Sequence, residues 1–117
     1  SEMCIRDRYD LVIDGVGYAP TRATASKAVR PGGVIMHIGL GSSEGGLDIR
    51  RATLQEITFI GTYTYTAADF RAAAAAMFDG RLGALDWYEV RPLEDGAKAF
   101  AHLRQGQVAA PKIILKP

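Results

Sequence analysis

The stretch Tyr9–Leu40, YDLVIDGVGYAPTRATASKAVRPGGVIMHIGL, constrains the fold more than any other part of the chain. An apolar run, Leu11-Val12-Ile13, ends in glycines, and an alanine-rich segment follows. Pro31-Gly32-Gly33 then turns the chain into a second apolar run that ends at Gly39. Continuous apolar strands of this kind are what a parallel sheet covered on both faces requires, and the order reads as a βαβ unit. In open α/β sheets ligands bind beyond the carboxyl ends of the strands. Gly15, Gly17, Gly39 and Gly41 fall at those ends. Nothing reads G-x-G-x-x-G opening a helix, so the stretch is expected to be the rear part of a larger sheet.

Beyond this unit the same patterning predicts further elements. Pro20 suits the first turn of a helix over Thr21–Arg30 that Pro31 closes, with Ala25, Ala28 and Val29 facing the sheet. Val34–Ile38 is the second strand, and Gly39–Gly46, GLGSSEGG, is expected to be the most flexible stretch, lying over a ligand. Leu54–Ile57 reads as a helical turn, and Thr58–Tyr65 as a third strand rich in β-branched and aromatic residues. Thr66 with Asp69 starts a helix over Ala67–Asp79 that Gly80 ends. Trp87–Val90 is extended. Leu93, Ala97, Phe100 and Leu103 recur at helical spacing, Gly106 stops that helix, and Pro111 precedes a last strand, Lys112–Leu115. The class is α/β with a mostly parallel sheet.

Composition narrows the partners. With 117 residues and a formal net charge of +1, the chain is at most one domain with a modest core. Its acids and bases are interspersed, which argues against nucleic acid or an anionic membrane as partner. No apolar run reaches the ~20 residues of a membrane span. Cys4 is the single cysteine, which fits a reducing compartment, and a cytoplasmic location is expected. Ser1–Arg8, SEMCIRDR, has neither strand nor helix period and no apolar h-region. It resembles translated sequencing-adapter sequence and is set apart as a probable non-native tail, an ordinary frayed terminus being the alternative.

The order strand-DGVG, helix, RPGGVIMHIGL, LQEITFIGTYTY, helix, RPLEDGAKAFAHLRQGQ and PKIILKP is similar to the C-terminal part of medium-chain dehydrogenases. These comprise the zinc-type alcohol and polyol dehydrogenases and their quinone-reductase relatives. The resemblance covers Tyr9–Pro117, and its force lies in the order and spacing of motifs that are each weak alone. It implies the C-terminal half of a Rossmann-type parallel sheet plus a segment returning to a GroES-like catalytic domain that is missing here. Residues 9–86 would be a partial dinucleotide-binding domain, with Tyr9–Asp14, Val34–Ile38 and Thr58–Tyr65 as its fourth to sixth strands. Residues 87–117 would belong to the catalytic domain. The first strands, the phosphate loop and the zinc ligands would lie upstream, so this fragment alone is expected to be inactive.

The resemblance also implies site residues. Gly15, Val16 and Gly17 would let backbone approach the adenosine side of NAD or NADP, though an ordinary strand-to-helix turn explains them equally well from the residues alone. Ile38, Gly39 and Leu40 would hold the carboxamide of the nicotinamide ring, the plain alternative being a sharp turn that needs glycine. Thr62, Tyr63 and Thr64 would approach the ring from the other side, or simply alternate between core and surface. Lys112 would reach the pyrophosphate, or be a solvated strand-edge lysine. Family members often dimerise by pairing the sixth strand, so a homo-oligomer through Thr58–Tyr65 is expected. The intact protein would use zinc and act on a small alcohol or carbonyl substrate. A zinc-free quinone or enoyl reductase and a non-catalytic nucleotide-binding module are the alternatives. His37 and His102 read as structural, and Glu56 and Asp69 as helix-end charges. No catalytic constellation and no metal-ligand set is assigned to this chain.

Overall fold

A computed structural model describes residues 8–117; the rest of the Ser1–Arg8 tail, Cys4 included, lies outside the described residues. The chain divides into two compact units, one running up to Thr64 and the other Tyr65–Pro117.

The first unit is a parallel sheet of three strands in the order β1 (Tyr9–Asp14), β2 (Val29–His37), β3 (Thr58–Gly61). Helix α1 (Ala19–Ala28) connects β1 to β2, and the short α2 (Ile49–Leu54) precedes β3. Val12 pairs with Ile35, and Ile35 with Phe59, so these side chains share one face. That face holds the core of Ala25, Val29 and Ile35, with Val12, Leu47 and Ile57 packed against it. Burying a side chain the size of Ile35, which is 1% exposed, contributes about 1.5–3 kcal/mol. The other face differs from expectation. Leu11, Ile13 and Ile60 are exposed, so only one side of the sheet is covered.

Arg30-Pro31-Gly32-Gly33 is also built differently from the expected turn. Helix α1 ends at Ala28, and β2 begins at Val29, ahead of the proline. The extra residues form an irregularity inside the strand, because Tyr9 pairs with Val29 while Leu11 pairs with Val34. Gly33 is required there, since a Cβ would lie 2.6 Å from the Val29 Cγ2. The expected turn at Leu54–Ile57 sits earlier, as α2 capped by Asp48, whose carboxylate accepts from the Arg51 N–H at 2.9 Å. Strand β3 stops at Gly61, and Thr64 has φ +51°, so Thr62–Tyr65 does not continue the strand.

In the second unit α3 (Ala67–Phe78) begins on the expected capping box. The Thr66 hydroxyl accepts from the Asp69 N–H at 3.1 Å, and the Asp69 carboxylate accepts from the Thr66 N–H at 2.9 Å. Strands β4 (Tyr88–Pro92) and β5 (Lys112–Lys116) pair in parallel. Between them lie a 3₁₀ turn, Leu93–Asp95, and α4 (Gly96–Arg104). The expected apolar stripe is displaced: the buried residue of α4 is Ala99, whereas Phe100 is 75% exposed. Gly106 ends the segment with φ +67°. No helix among the described residues is long and apolar enough to cross a membrane.

Candidate functional site

The carboxyl ends of β1 and β2 are organised by Asp14, the last residue of β1, which is 5% exposed. One carboxylate oxygen accepts from the Val16 N–H at 3.0 Å and the Gly17 N–H at 2.9 Å. The other accepts from the Thr21 hydroxyl at 2.9 Å. Burial alone would raise this carboxyl's pKa. The Gly17 N–H, the Thr21 hydroxyl and the Val16 N–H outweigh that, with a smaller contribution from His37, and hold it below the ordinary 3.8. Asp14 is therefore a charged group closing the turn after β1 upon itself.

The turn after β2 is fastened to the turn after β1 by backbone. Ile38 and Gly39 both donate to the Asp14 carbonyl, at 2.9 and 3.1 Å. Gly41 donates to the Val16 carbonyl at 3.1 Å, and Ser42 to the Gly17 carbonyl at 2.9 Å. Arg22, on α1 and 7% exposed, lies beneath the same junction and donates to Gly17, Ser42 and Gly45 carbonyls. The segment expected to be the most flexible, Gly39–Gly46, is thus hydrogen-bonded at Gly39, Gly41, Ser42, Glu44 and Gly45.

Two of the glycines at the strand tips also answer to a packing constraint. A Cβ on Gly17, where φ is +77°, would sit 2.3 Å from the Gly39 carbonyl carbon. A Cβ on Gly39 would sit 2.2 Å from the Val16 carbonyl carbon, and Gly39 has no positive φ. Gly39 is glycine because the turns press on each other, and Gly17 both for that reason and for its positive φ. Gly15 alone of the three has open space where a side chain would go. Sequence reasoning passed over Asp14, Thr21 and Arg22. A usable signal was present for Arg22, which shares with Ala25 and Val29 the i, i+3, i+7 stripe facing the sheet; a charge on that stripe needs internal partners.

The structure brings Gly15, Val16, Gly17, Ile38, Gly39 and Leu40 together at one end of the sheet. Val16, Ile38 and Leu40 present exposed side chains there. Thr62 joins them through its N–H, which donates to the His37 carbonyl at 2.9 Å, while the Tyr63 side chain is 76% exposed. Lys112 stands in the second unit, where it opens β5 opposite Tyr88. His37 Nε2 is 3.7 Å from the Asp14 carboxylate, beyond hydrogen-bond length, and its ring stacks obliquely on Phe59 at 5.4 Å. His102 Nδ1 accepts from Arg91 at 2.9 Å. Among the described residues no cluster of three His, Cys, Asp or Glu is placed to hold a metal ion.

Two hollows flank the strand ends. The larger, about 470 Å³, is lined by Arg22, His37, Ser43, Leu47, Ile49 and Phe59. Its one cation offers no free donor, because every Arg22 N–H is already engaged with the loops. The smaller, about 260 Å³, runs along β1 from Val12 to Gly15 and Val16. It continues against Thr21, Thr24 and Ala25 of α1 and so flanks the strand, reaching the tip at Gly15 and Val16.

The comparisons with known proteins agree with this geometry. A family model described as zinc-binding dehydrogenase matches residues 1–79, a span that takes in the N-terminal tail. The probable D-xylulose reductase A of Neosartorya fischeri is 32% identical over 84% of this chain, which spans 28% of that protein's length. A thermostable alcohol dehydrogenase from Pyrobaculum aerophilum superposes with a TM-score of 0.75 at 30% identity, over 96% of this chain and 33% of its own. An alcohol dehydrogenase from E. coli CFT073, solved with NADH, superposes with a TM-score of 0.78 at 16% identity, over 94% of this chain and 33% of its own. The parallel strands, the glycine junction at their tips and the matched span make this chain a member of the zinc-binding dehydrogenase family.

Proposed function

We propose that the chain forms one wall of a nicotinamide-dinucleotide crevice in an oxidoreductase acting on a small alcohol or carbonyl compound. The observation that carries this reading is the junction of the β1 and β2 turns. It sets the exposed side chains of Val16, Ile38 and Leu40 at the carboxyl end of a parallel sheet. Gly15, where a Cβ would meet nothing, leaves a gap that a ligand's flat surface fits. In this reading Gly15–Gly17 lie along the adenosine half of NAD or NADP. Ile38–Leu40 and Thr62–Thr64 flank the nicotinamide, and Lys112 faces the pyrophosphate. Support comes from the relatives: the E. coli dehydrogenase was solved with NADH, and the fungal relative is named as a D-xylulose reductase.

Bound dinucleotide would supply the hydride. The residues present do the positioning. Asp14 keeps the first turn closed, the glycine junction fixes the spacing of the turns, and the apolar side chains at the strand tips exclude water from one side of the crevice. Among the described residues no cluster of three His, Cys, Asp or Glu is placed to bind zinc. We assign zinc, proton transfer and choice of substrate to sequence outside this chain, residues 9–86 to the dinucleotide-binding domain and residues 87–117 to the catalytic domain. Pairing of subunits through the β3 edge belongs to the same reading, although β3 itself offers only Thr58–Gly61.

The test is titration of the complete protein with NADH and NADPH, followed by polyol and alcohol turnover. Binding with turnover is the expected result. Binding without turnover of any alcohol, ketone or quinone would instead mark a nucleotide-binding module, and binding of neither coenzyme would end the proposal.

A further inference from the structure

We infer that Arg22 is the positioning residue of the crevice, a clamp whose guanidinium holds the two strand-tip turns in the geometry that receives the dinucleotide. The inference rests on the reading above and goes beyond it, since Arg22 lines the larger hollow but turns all its N–H donors to the turns and none to the proposed ligand.

The accounting of donors is complete. A guanidinium has five N–H donors. In Arg22 the Nε–H goes to the Gly45 carbonyl at 2.6 Å, and Nη1 to the Gly17 and Ser42 carbonyls at 2.9 and 3.0 Å. Nη2 goes to the Ser42 hydroxyl at 3.0 Å and to the Glu44 carbonyl at 2.5 Å. One acceptor belongs to the turn after β1 and the rest to the turn after β2, so one planar group spans both. Among the described residues no carboxylate comes within ion-pairing distance of it. A buried cation held by neutral acceptors, four carbonyls and one hydroxyl, is costly unless each stays in place, and the turns therefore cannot move without exposing it.

This has a consequence for binding. The glycine junction and the Ser42 N–H bring the turns into contact, but no backbone bond between the turns reaches the stretch from Ser43 to Gly45. With Arg22 removed, that stretch gains alternatives, and only a fraction of molecules present Ile38–Leu40 correctly. The apparent dissociation constant rises by the inverse of that fraction.

The experiment uses the complete protein as wild type, R22M and R22K, with NADH binding followed by fluorescence and unliganded thermal midpoints measured in parallel. R22M keeps the length of the side chain without its donors, and is expected to weaken NADH binding roughly tenfold, as when about a tenth of molecules remain competent. R22K keeps the charge with three donors in place of five and is expected to recover part of the loss. A purely structural role would lower the midpoint and leave affinity, measured well below it, unchanged. If R22M does not fold, a folded R22K with weakened affinity supports the clamp. Wild-type affinity in either folded variant overturns it. If the wild type binds neither coenzyme, the crevice itself is refuted, and the clamp with it.

Discussion

The two units solve the same problem with opposite means. In the first unit the buried polar residues Asp14, Arg22 and Ser26 sit among a core of only Ala25, Val29 and Ile35. Each of those polar side chains is spent on backbone of the same unit. The second unit buries Ala99 and leaves Phe70, Phe78, Trp87 and Phe100 exposed. Large apolar side chains lie open in the first unit too, Leu11, Ile13, Leu40 and Tyr63 among them, so the two units differ in their buried polar residues rather than in apolar cover. The contrast teaches that the strand-tip geometry is specified from within by hydrogen bonds.

The strongest way to break this contrast is to press on the glycine junction. Gly17→Ala forces a Cβ to within 2.3 Å of the Gly39 carbonyl carbon at a φ of +77°, and neither side has a flexible chain to move. The combined strain and overpacking should cost roughly 3 kcal/mol in urea melts of the complete protein. Gly15→Ala is the control: its Cβ meets nothing, and the change should stay within about 0.5 kcal/mol. Equal effects at the two positions would show that the turns are not held against each other.

Next in size is Asp14→Asn. The amide keeps one acceptor oxygen for Val16 and Gly17 but turns an N–H₂ toward Thr21, and the charge that His37 sees is lost. Leaving buried partners mismatched should cost about 2 kcal/mol at neutral pH. The pH dependence has a definite sign. The folded carboxyl titrates below its ordinary 3.8, so its contribution is complete above that value and is lost as pH falls through the folded pKa. Acid titration of the wild type should therefore show a stability loss below about 3.8 that Asp14→Asn lacks. Parallel acid limbs in the two proteins would remove Asp14 from the scaffold.

These expectations bear on how much the residues disclosed. Element order was readable throughout, because apolar runs, Pro20, the Thr66–Asp69 box and Gly80 each act locally. The parallel pairing followed from the βαβ order. Three things were not readable. Arg30–Gly33 looked like a turn because proline and glycine signal turns, whereas the ladder continues through them as an irregularity. Thr58–Tyr65 looked like one strand because β-propensity runs past Gly61, but pairing with β2 ends at His37. The close approach of Gly17 and Gly39 is a contact between residues far apart in sequence that no local pattern announces. For the same reason Arg22 was invisible as a clamp, since four of its partners lie twenty or more residues away.

The smallest effect sharpens the comparison from the other side. Helix α3 starts on the Thr66 cap, and its residues are mostly exposed, so its first turn depends on the cap more than on packing. Thr66→Ala removes the hydroxyl that accepts from the Asp69 N–H and should cost about 1 kcal/mol, with Thr66→Ser restoring most of it. Helix α1 is its counterpart without such dependence: its N-cap, Tyr18, makes no side-chain cap bond, and Thr21 and Arg22 fix its first turn to the sheet. Hydrogen exchange should separate the two helices. Thr66→Ala should speed exchange at Asp69 and Phe70 while leaving the amides of Gly17 and Gly41 as slow as before. Faster exchange at Gly17 or Gly41 in that variant would mean that the cap of α3 feeds the strand-tip junction. The two units would then be one cooperative body with a shared scaffold.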